Sequence, residues 1–536
     1  MSDFKEVPPS EIENVLDALD LRLNKAIAFA REREIDEQQV AVERLAALAT
    51  RLRAGRDLLE YARDAGPIYR EQATVFVGGV ASDLDRLIRD SGPEHGLSDD
   101  DLPDESVSAF VRDALNERRV RAIGSEVARQ RGRNDGPLEE LYELTRDAVR
   151  EFAAREVAPL AERIHRKDEL VPEELISSMS ELGYFGLSVP EAFGGSEMGN
   201  VAMVITTEEL SRASLAAAGS LITRPEILTK ALMAGGTEAQ KREWLPRIAS
   251  GELMVGISVT EPDVGSDVAS VKCRAEPASQ DGVPGYRITG AKAWCTFAGR
   301  ADILAVLCRT DDDPAAGARG LSLLIVPKER SSEHSFDQTQ PGGGRIVGTA
   351  DATPGYRGMH SYTVNFENYF VPGENLIGAE AGLGRGFYLQ MGGFAAGRLQ
   401  TGGRACGLAQ AALECSAEYV VDRKQFGRSL SEYQLTQFKL GKMASDLAAA
   451  RAITYAAAAA MDEDERAAAS YASQAKLLAC DVAVAVSQEG QLLHGGWGYA
   501  EEYAISRYVV DALVLPIFEG VKPILELKVI GRSLLA

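Results

Sequence analysis

Cysteine is scarce. Cys273, Cys295, Cys308, Cys406, Cys415 and Cys480 are the six in 536 residues, and none stand in CxxC spacing. That argues against a disulfide framework or a thiolate metal site and leaves reduced, buried thiols in a cytoplasmic protein. Histidine is scarcer still: His95, His165, His334, His360 and His494 include no HExxH and no i,i+4 pair, so no metal is expected from their spacing. Basic charge is in deficit, with 58 Lys and Arg against 80 Asp and Glu for a net charge of −22. Such a chain repels phosphate backbones and anionic lipid, which makes nucleic acid and membrane surfaces poor partners. A small anionic ligand needs only a local Arg or Lys. No run approaches the ~20 apolar residues of a membrane span, and Met1–Glu6 opens without the apolar core of a secretory signal.

What is present is an ordinary globular composition in a chain long enough for roughly two to four domains. Residues 1–136 read as a helical extension. Ser10 and Glu13 have capping-box spacing, and Ile12, Val15, Leu16, Leu19, Leu23 and Ile27 recur at helical intervals. Val42, Leu45, Leu48, Leu52 and Leu59 form a second stripe. The Gly- and Arg-rich stretch Arg131–Pro137 predicts a boundary. Residues 137–251 are again helical. Residues 252–377 change texture to short β-rich runs, such as Leu321–Val326 and Ser361–Phe366, and predict an antiparallel β domain with a long polar loop over Ser331–Gly355. Residues 378–536 return to helix.

Three stretches carry chemistry. Leu515–Ile524 sets Glu519 among apolar neighbours ahead of Gly520. A carboxylate in such a place has its charged form disfavoured, which moves its pKa towards that of a useful general base; a solvated glutamate at a loop-to-helix junction fits the decapeptide equally. Val259–Asp267 leaves a strand for a Gly/Ser/Asp loop able to offer backbone N–H groups and hydroxyls to a ligand. Gly290–Thr296 places the flat face of Trp294 and the hydroxyl of Thr296 two residues apart, on one side of a strand, as a stacked heterocycle requires. A core tryptophan is the plainer alternative.

Taken in order, the words Leu187–Gly195 (LSVPEAFGG), Thr260–Asp267 (TEPDVGSD), Gly290–Thr296 (GAKAWCT), Arg423–Gly427 (RKQFG), His494–Tyr499 (HGGWGY) and Glu519-Gly520 resemble the acyl-CoA dehydrogenase family over about Leu138–Ala536. The resemblance implies a mainly helical fold: a helical domain, a β domain and a C-terminal four-helix bundle, here with an added N-terminal extension. It implies FAD, an acyl-CoA substrate, an electron-transfer flavoprotein as acceptor, and a homo-oligomer, dimer or tetramer, in which a neighbour completes the cofactor site.

Carried over by position, Val259 and Thr260 contact the flavin pyrimidine, and Trp294 and Thr296 wall its reactive nitrogen. Arg423, Phe426, Gln434, Gly495 and Gly496 hold its diphosphate and adenine across the subunit interface. Ser266 contacts the CoA chain. Glu519 is the base that removes the α-proton while the β-hydrogen leaves as hydride to FAD, and the base's own backbone N–H serves the thioester oxygen. Some relatives carry the base on another helix just before an arginine; here that arginine is Arg398, counted with Gly520 among the substrate contacts, and Gly397 before it cannot act.

The chain departs from the pattern where Leu492, with Gln491 one place earlier, stands for the family's glutamine, and where Val521 and Pro523 replace polar residues after Glu519-Gly520. The extension, the segment Ser220–Leu228 and the ending Phe518–Lys528 narrow the resemblance to members acting on a dicarboxylic acyl-CoA. Such a substrate needs a cation, and Arg224 lies where the family borders the acyl chain. The glutaryl-type Glu and Arg pair falls on Ser211 and Ala218. Rival readings are a dehydrogenase for another short or branched acyl-CoA, an oxidase using O₂, and a silent binding or scaffold protein.

Overall fold

The computed structural model describes residues 6–536. They form two compact units, one built from residues up to Arg146 together with Thr401–Ala536, the other from Asp147–Gln400.

The first unit begins with α1 (Pro9–Ala30), α2 (Gln39–Ala65), α3 (Pro67–Ser91), α4 (Glu105–Ala114) and α5 (Glu117–Arg129). The predicted stripes are the buried faces: Ile12, Val15, Leu16, Leu19, Leu23 and Ile27 on α1, and Val42, Leu45, Leu48, Leu52 and Leu59 on α2. Helical spacing puts those residues on one side, and their burial offsets the entropy of ordering the chain.

The extension is a layer of the C-terminal bundle. After α6 (Glu140–Phe152), α7 (Ala158–Lys167), α8 (Glu173–Glu181), α9 (Gly199–Ala213), α10 (Thr223–Gly235), α11 (Glu238–Ala249) and α12 (Gly386–Asp422), the bundle continues with α13 (Gln434–Glu463), α14 (Ala469–His494) and α15 (Ile505–Ala512). α5 crosses α13 at Gly124 and Gly441. A Cβ on Gly124 would lie 1.7 Å from the Gln437 carbonyl oxygen, and one on Gly441 2.1 Å from that of Val120, so any side chain at either place would overlap main chain. The predicted boundary at Arg131–Pro137 is pinned rather than free. Asn134 donates to the Ala444 carbonyl at 3.0 Å, Gln410 to that of Gly132 at 3.0 Å, and Arg451 to that of Asn134 at 2.6 Å. Polar residues read as a linker because their partners lie some 300 positions away.

In the second unit the strands are β1 (Val255–Ser258), β2 (Arg274–Gln280), β3 (Val283–Thr296), β4 (Ile303–Arg309), β5 (Leu321–Pro327), β6 (Ser335–Thr339), β7 (Arg345–Ala350) and β8 (Ser361–Pro372). They form one sheet in the order β1-β4-β2-β3-β8-β7-β6, with β5 also on β4. The expected antiparallel arrangement holds for most pairs, but β4 runs parallel to β1 and meets β2 in a parallel pairing. β4 is buried on both faces: Ile303, Ala305 and Leu307 pack with Leu228, Leu232 and Leu245 of α10 and α11, while Leu304, Val306 and Cys308 pack with Tyr362, Val364 and Phe366 of β8. Strand alternation feeds both cores from one continuous apolar run.

The expected long loop at Ser331–Gly355 is corrected to a hairpin, β6 with β7, and β7 continues the sheet along β8. Phe336 and Ile346 are its buried anchors; one buried apolar side chain per short strand is too weak a pattern to read. Among the described residues, no helix is long and apolar enough to cross a membrane.

Candidate active site

Glu519 closes the turn after α15. Its φ is +55° and that of Gly520 is +104°. A non-glycine residue rarely adopts the left-handed region, and it does so only where its surroundings dictate it. Here they do. Lys476 on α14, 1% exposed, donates from Nζ to the Phe518 carbonyl at 2.6 Å and to the Gly520 carbonyl at 2.6 Å, one on each side of Glu519. The Lys522 N–H closes the turn onto Pro516 O at 2.9 Å. The Arg404 guanidinium, fully buried, lies 4.7 Å from the centre of the Phe518 ring. The apolar surroundings expected for Glu519 are only partly present. Leu515 is buried, Ile517 is exposed, and Glu519 itself is half-buried.

The same unit carries Arg423, Phe426, Gln434, Gly495 and Gly496, all exposed. Tyr419 near the end of α12 stacks on His494 at 4.2 Å, which brings the Arg423 turn beside the His494–Tyr499 turn. A Cβ added at Gly495 or Gly496 would meet nothing within 4 Å. Phe426 is 95% exposed, Leu435 68%, Leu492 73% and Tyr499 89%. Gln491, one place before Leu492, donates from Nε2 to Gly498 O at 3.0 Å, inside its own turn.

In the second unit, Val259 and Thr260 follow β1 and lie along the end of β3. The Ala293 N–H donates to Thr260 O at 2.8 Å. Lys292, with no exposed surface, donates to Val259 O at 3.0 Å and pairs with Glu261 at 2.9 Å. Glu261 also accepts the backbone N–H groups of Lys272 and Cys273. Beside this buried pair the register of β3 on β8 shifts between Lys292 and Cys295, and Trp294 takes φ +56°. That bulge replaces the expected strict alternation. Trp294 is 60% exposed, while Thr296 is buried with its Oγ1 3.1 Å from Ser361 Oγ. Trp294 is thus no core residue; its indole face is available. Ser266 is exposed, Arg398 half-buried and Gly397 buried. Arg224, in the first turn of α10, is 4% exposed, which removes the surface alternative for it.

Lys476, Arg404 and the Lys292–Glu261 pair were missed in the sequence. The one available signal was a lone lysine in an apolar run, as in Ala475-Lys476-Leu477-Leu478-Ala479.

Three family models match end to end: the acyl-CoA dehydrogenase N-terminal domain over residues 139–252, the middle domain over 256–369 and the C-terminal domain over 384–535. The chain belongs to the acyl-CoA dehydrogenase family. It is 41% identical over 398 residues to the (2S)-methylsuccinyl-CoA dehydrogenase of Cereibacter sphaeroides, covering 74% of this chain and 70% of that protein. Among solved structures it resembles the butyryl-CoA dehydrogenase of Megasphaera elsdenii, with TM-score 0.67 and 28% identity over 75% of this chain and 100% of that one. A chain in the structure of the electron transferring flavoprotein of Acidaminococcus fermentans matches equally, with TM-score 0.67 and 29% identity over 75% and 99%.

The chain is accordingly a flavin-dependent acyl-CoA dehydrogenase with FAD as cofactor. The residues present fit that group: an exposed indole beside a braced strand end, an exposed Phe426, and glycine turns with open space over them. The matched domains begin at residue 139, so the helices before it lie outside all three models.

Proposed function

We propose that the enzyme converts (2S)-methylsuccinyl-CoA to mesaconyl-CoA in the ethylmalonyl-CoA pathway and passes the electrons to an electron-transfer flavoprotein. The observation that carries this reading is the 41% identity to a methylsuccinyl-CoA dehydrogenase. That relative is matched over only 70% of its length, whereas the two solved structures are matched over 99–100%, so it too has substantial chain beyond the shared body. Arg224 adds a physical argument. A buried guanidinium suits a substrate with a free carboxylate, because a charge-assisted pair in a dry site is stronger than one in water.

In this reading Glu519 takes the α-proton. Its clamped backbone supports the role, since a general base works only when its oxygen is held in place. FAD, when bound, supplies the acceptor for the β-hydrogen. Val259, Thr260, Trp294 and Thr296 would hold the flavin ring. Arg423, Phe426, Gln434, Gly495 and Gly496 would hold the cofactor of a neighbouring chain, and the exposed apolar groups around them support a homo-oligomer. Ser266, Arg398 and Gly520 border the substrate. Six cysteines, five of them buried, agree with a cytoplasmic setting.

The test is a flavin-bleaching screen over short acyl-CoAs with dicarboxylic ones included. Fastest bleaching with (2S)-methylsuccinyl-CoA is expected. Equal rates with butyryl-CoA would favour the broader short-chain reading. Rapid reoxidation in air without an electron-transfer flavoprotein would turn the enzyme into an oxidase.

A further inference from the structure

The spacing of the histidines gave no metal site, but the fold brings two of them together with an aspartate inside the second unit. Asp168 is the C-cap of α7, with φ +56°. His334 stands just before β6, in the hairpin that replaces the expected loop, and His360 just before β8, with φ +45°. His360 Nε2 lies 3.1 Å from Asp168 Oδ1, and the rings of His334 and His360 are 4.5 Å apart. One nitrogen of each ring and one carboxylate oxygen all lie within 4.8 Å of one another. Ligands bonded to one cation at about 2.0–2.2 Å stand roughly 3.3–3.5 Å apart when tetrahedral. The Asp168–His360 pair already stands at 3.1 Å, so the exposed His334 is the ligand that would have to move inward.

Both histidine backbones are anchored: the Phe297 N–H donates to His360 O at 2.8 Å, and the Ala350 N–H to His334 O at 2.8 Å. His360 is 3% exposed, and its Nδ1 is buried with no hydrogen-bond partner. While Nε2 carries the proton towards Asp168, Nδ1 is left bare. A cation on Nε2 would move that proton to Nδ1. Arg357 Nε lies 3.3 Å from Asp168 Oδ1 and offsets part of the carboxylate's charge. Its guanidinium also donates to the His165 and Thr353 carbonyls.

The geometry points to a divalent transition-metal site formed by Asp168, His334 and His360, of the borderline class that two imidazoles and a carboxylate select. Three protein ligands leave a fourth position open, on the exposed His334 side. The ion ties the start of the β6–β7 hairpin to the end of α7. It sits one residue from Ser361, whose hydroxyl meets Thr296.

The experiment is Zn²⁺ equilibrium dialysis of the full-length holoenzyme, stripped with chelator, against excess Mg²⁺ to suppress loose binding to an acidic surface. Visible absorption of the Co²⁺ form is the second readout. One Zn²⁺ per chain is expected. His334→Ala, at an exposed position that leaves the fold intact, and Asp168→Asn should each lose affinity by at least about tenfold, and the Co²⁺ band should vanish with them. Wild-type protein that takes up no Zn²⁺ overturns the site, as does uptake unchanged in both variants. Neither result depends on flavin content or turnover.

Discussion

Two places in the molecule solve one problem in different ways. In each, a non-glycine residue sits at positive φ, Glu519 at +55° and Trp294 at +56°, and in each a fully buried lysine holds the backbone beside it. Lys476 does so by donating to two main-chain carbonyls that flank Glu519. Lys292 donates to one carbonyl and also pairs with the buried carboxylate of Glu261, which takes two backbone N–H groups in turn. The difference lies in what each lysine leaves behind when removed. Loss of Lys476 strips neutral carbonyls of a donor. Loss of Lys292 leaves a buried charge without its cation, which is the costlier defect. The Glu519 turn can therefore be loosened with the fold intact, whereas the Trp294 bulge is tied to the stability of its sheet.

The sharpest separation of the two places comes from Glu519→Gln. It removes the basic oxygen and should cut turnover about 10²–10⁴-fold, with the protein still yellow and still binding product. Flavin bleaching at near wild-type rate would move the base elsewhere. Next, Lys292→Met should destabilise the protein by about 3–5 kcal/mol and lower flavin content, read by thermal melting and absorbance. The double variant Lys292→Met/Glu261→Gln should recover part of that loss, because the orphaned charge is gone; no recovery would show that the ion pair is not what braces the bulge.

Arg224→Met should weaken dicarboxylic substrates by roughly 1.5–3 kcal/mol, about one to two orders of magnitude in kcat/KM, while neutral acyl-CoAs are little affected. An equal effect on both would take Arg224 out of the pocket. The smallest effect is expected for Lys476→Met, about 1–3 kcal/mol of stability. Its signature is a lower kcat per bound flavin at unchanged flavin content. A drop in melting temperature with unchanged kcat would make the clamp purely structural and break the comparison.

Much of the plan was legible along the chain. The stripes of α1 and α2 recur at helical spacing because a helix must bury one side. The runs Ile303–Leu307 and Leu321–Val326 read as strands because both their faces are covered. The words around Thr260, Trp294, Arg423, His494 and Glu519 named the family, since ligand contacts made by a turn or a strand end are local and leave local residue patterns. The hairpin at Ser335–Ala350, the pinned segment Arg131–Pro137 and the burial of Arg224 were not legible, because each depends on partners far away in sequence.

The sequence by itself determined the helix–β–helix order, the cofactor class and the identity of the candidate base, because those follow from periodicity and from short motifs. Only the tertiary structure decided that the extension is a layer of the bundle, since Gly124 and Gly441 are ordinary glycines until two helices meet there. It alone decided that Lys476 and Lys292 are clamps and that Asp168, His334 and His360 meet. A buried polar group is defined by what surrounds it, and those surroundings come from elements that no local pattern connects.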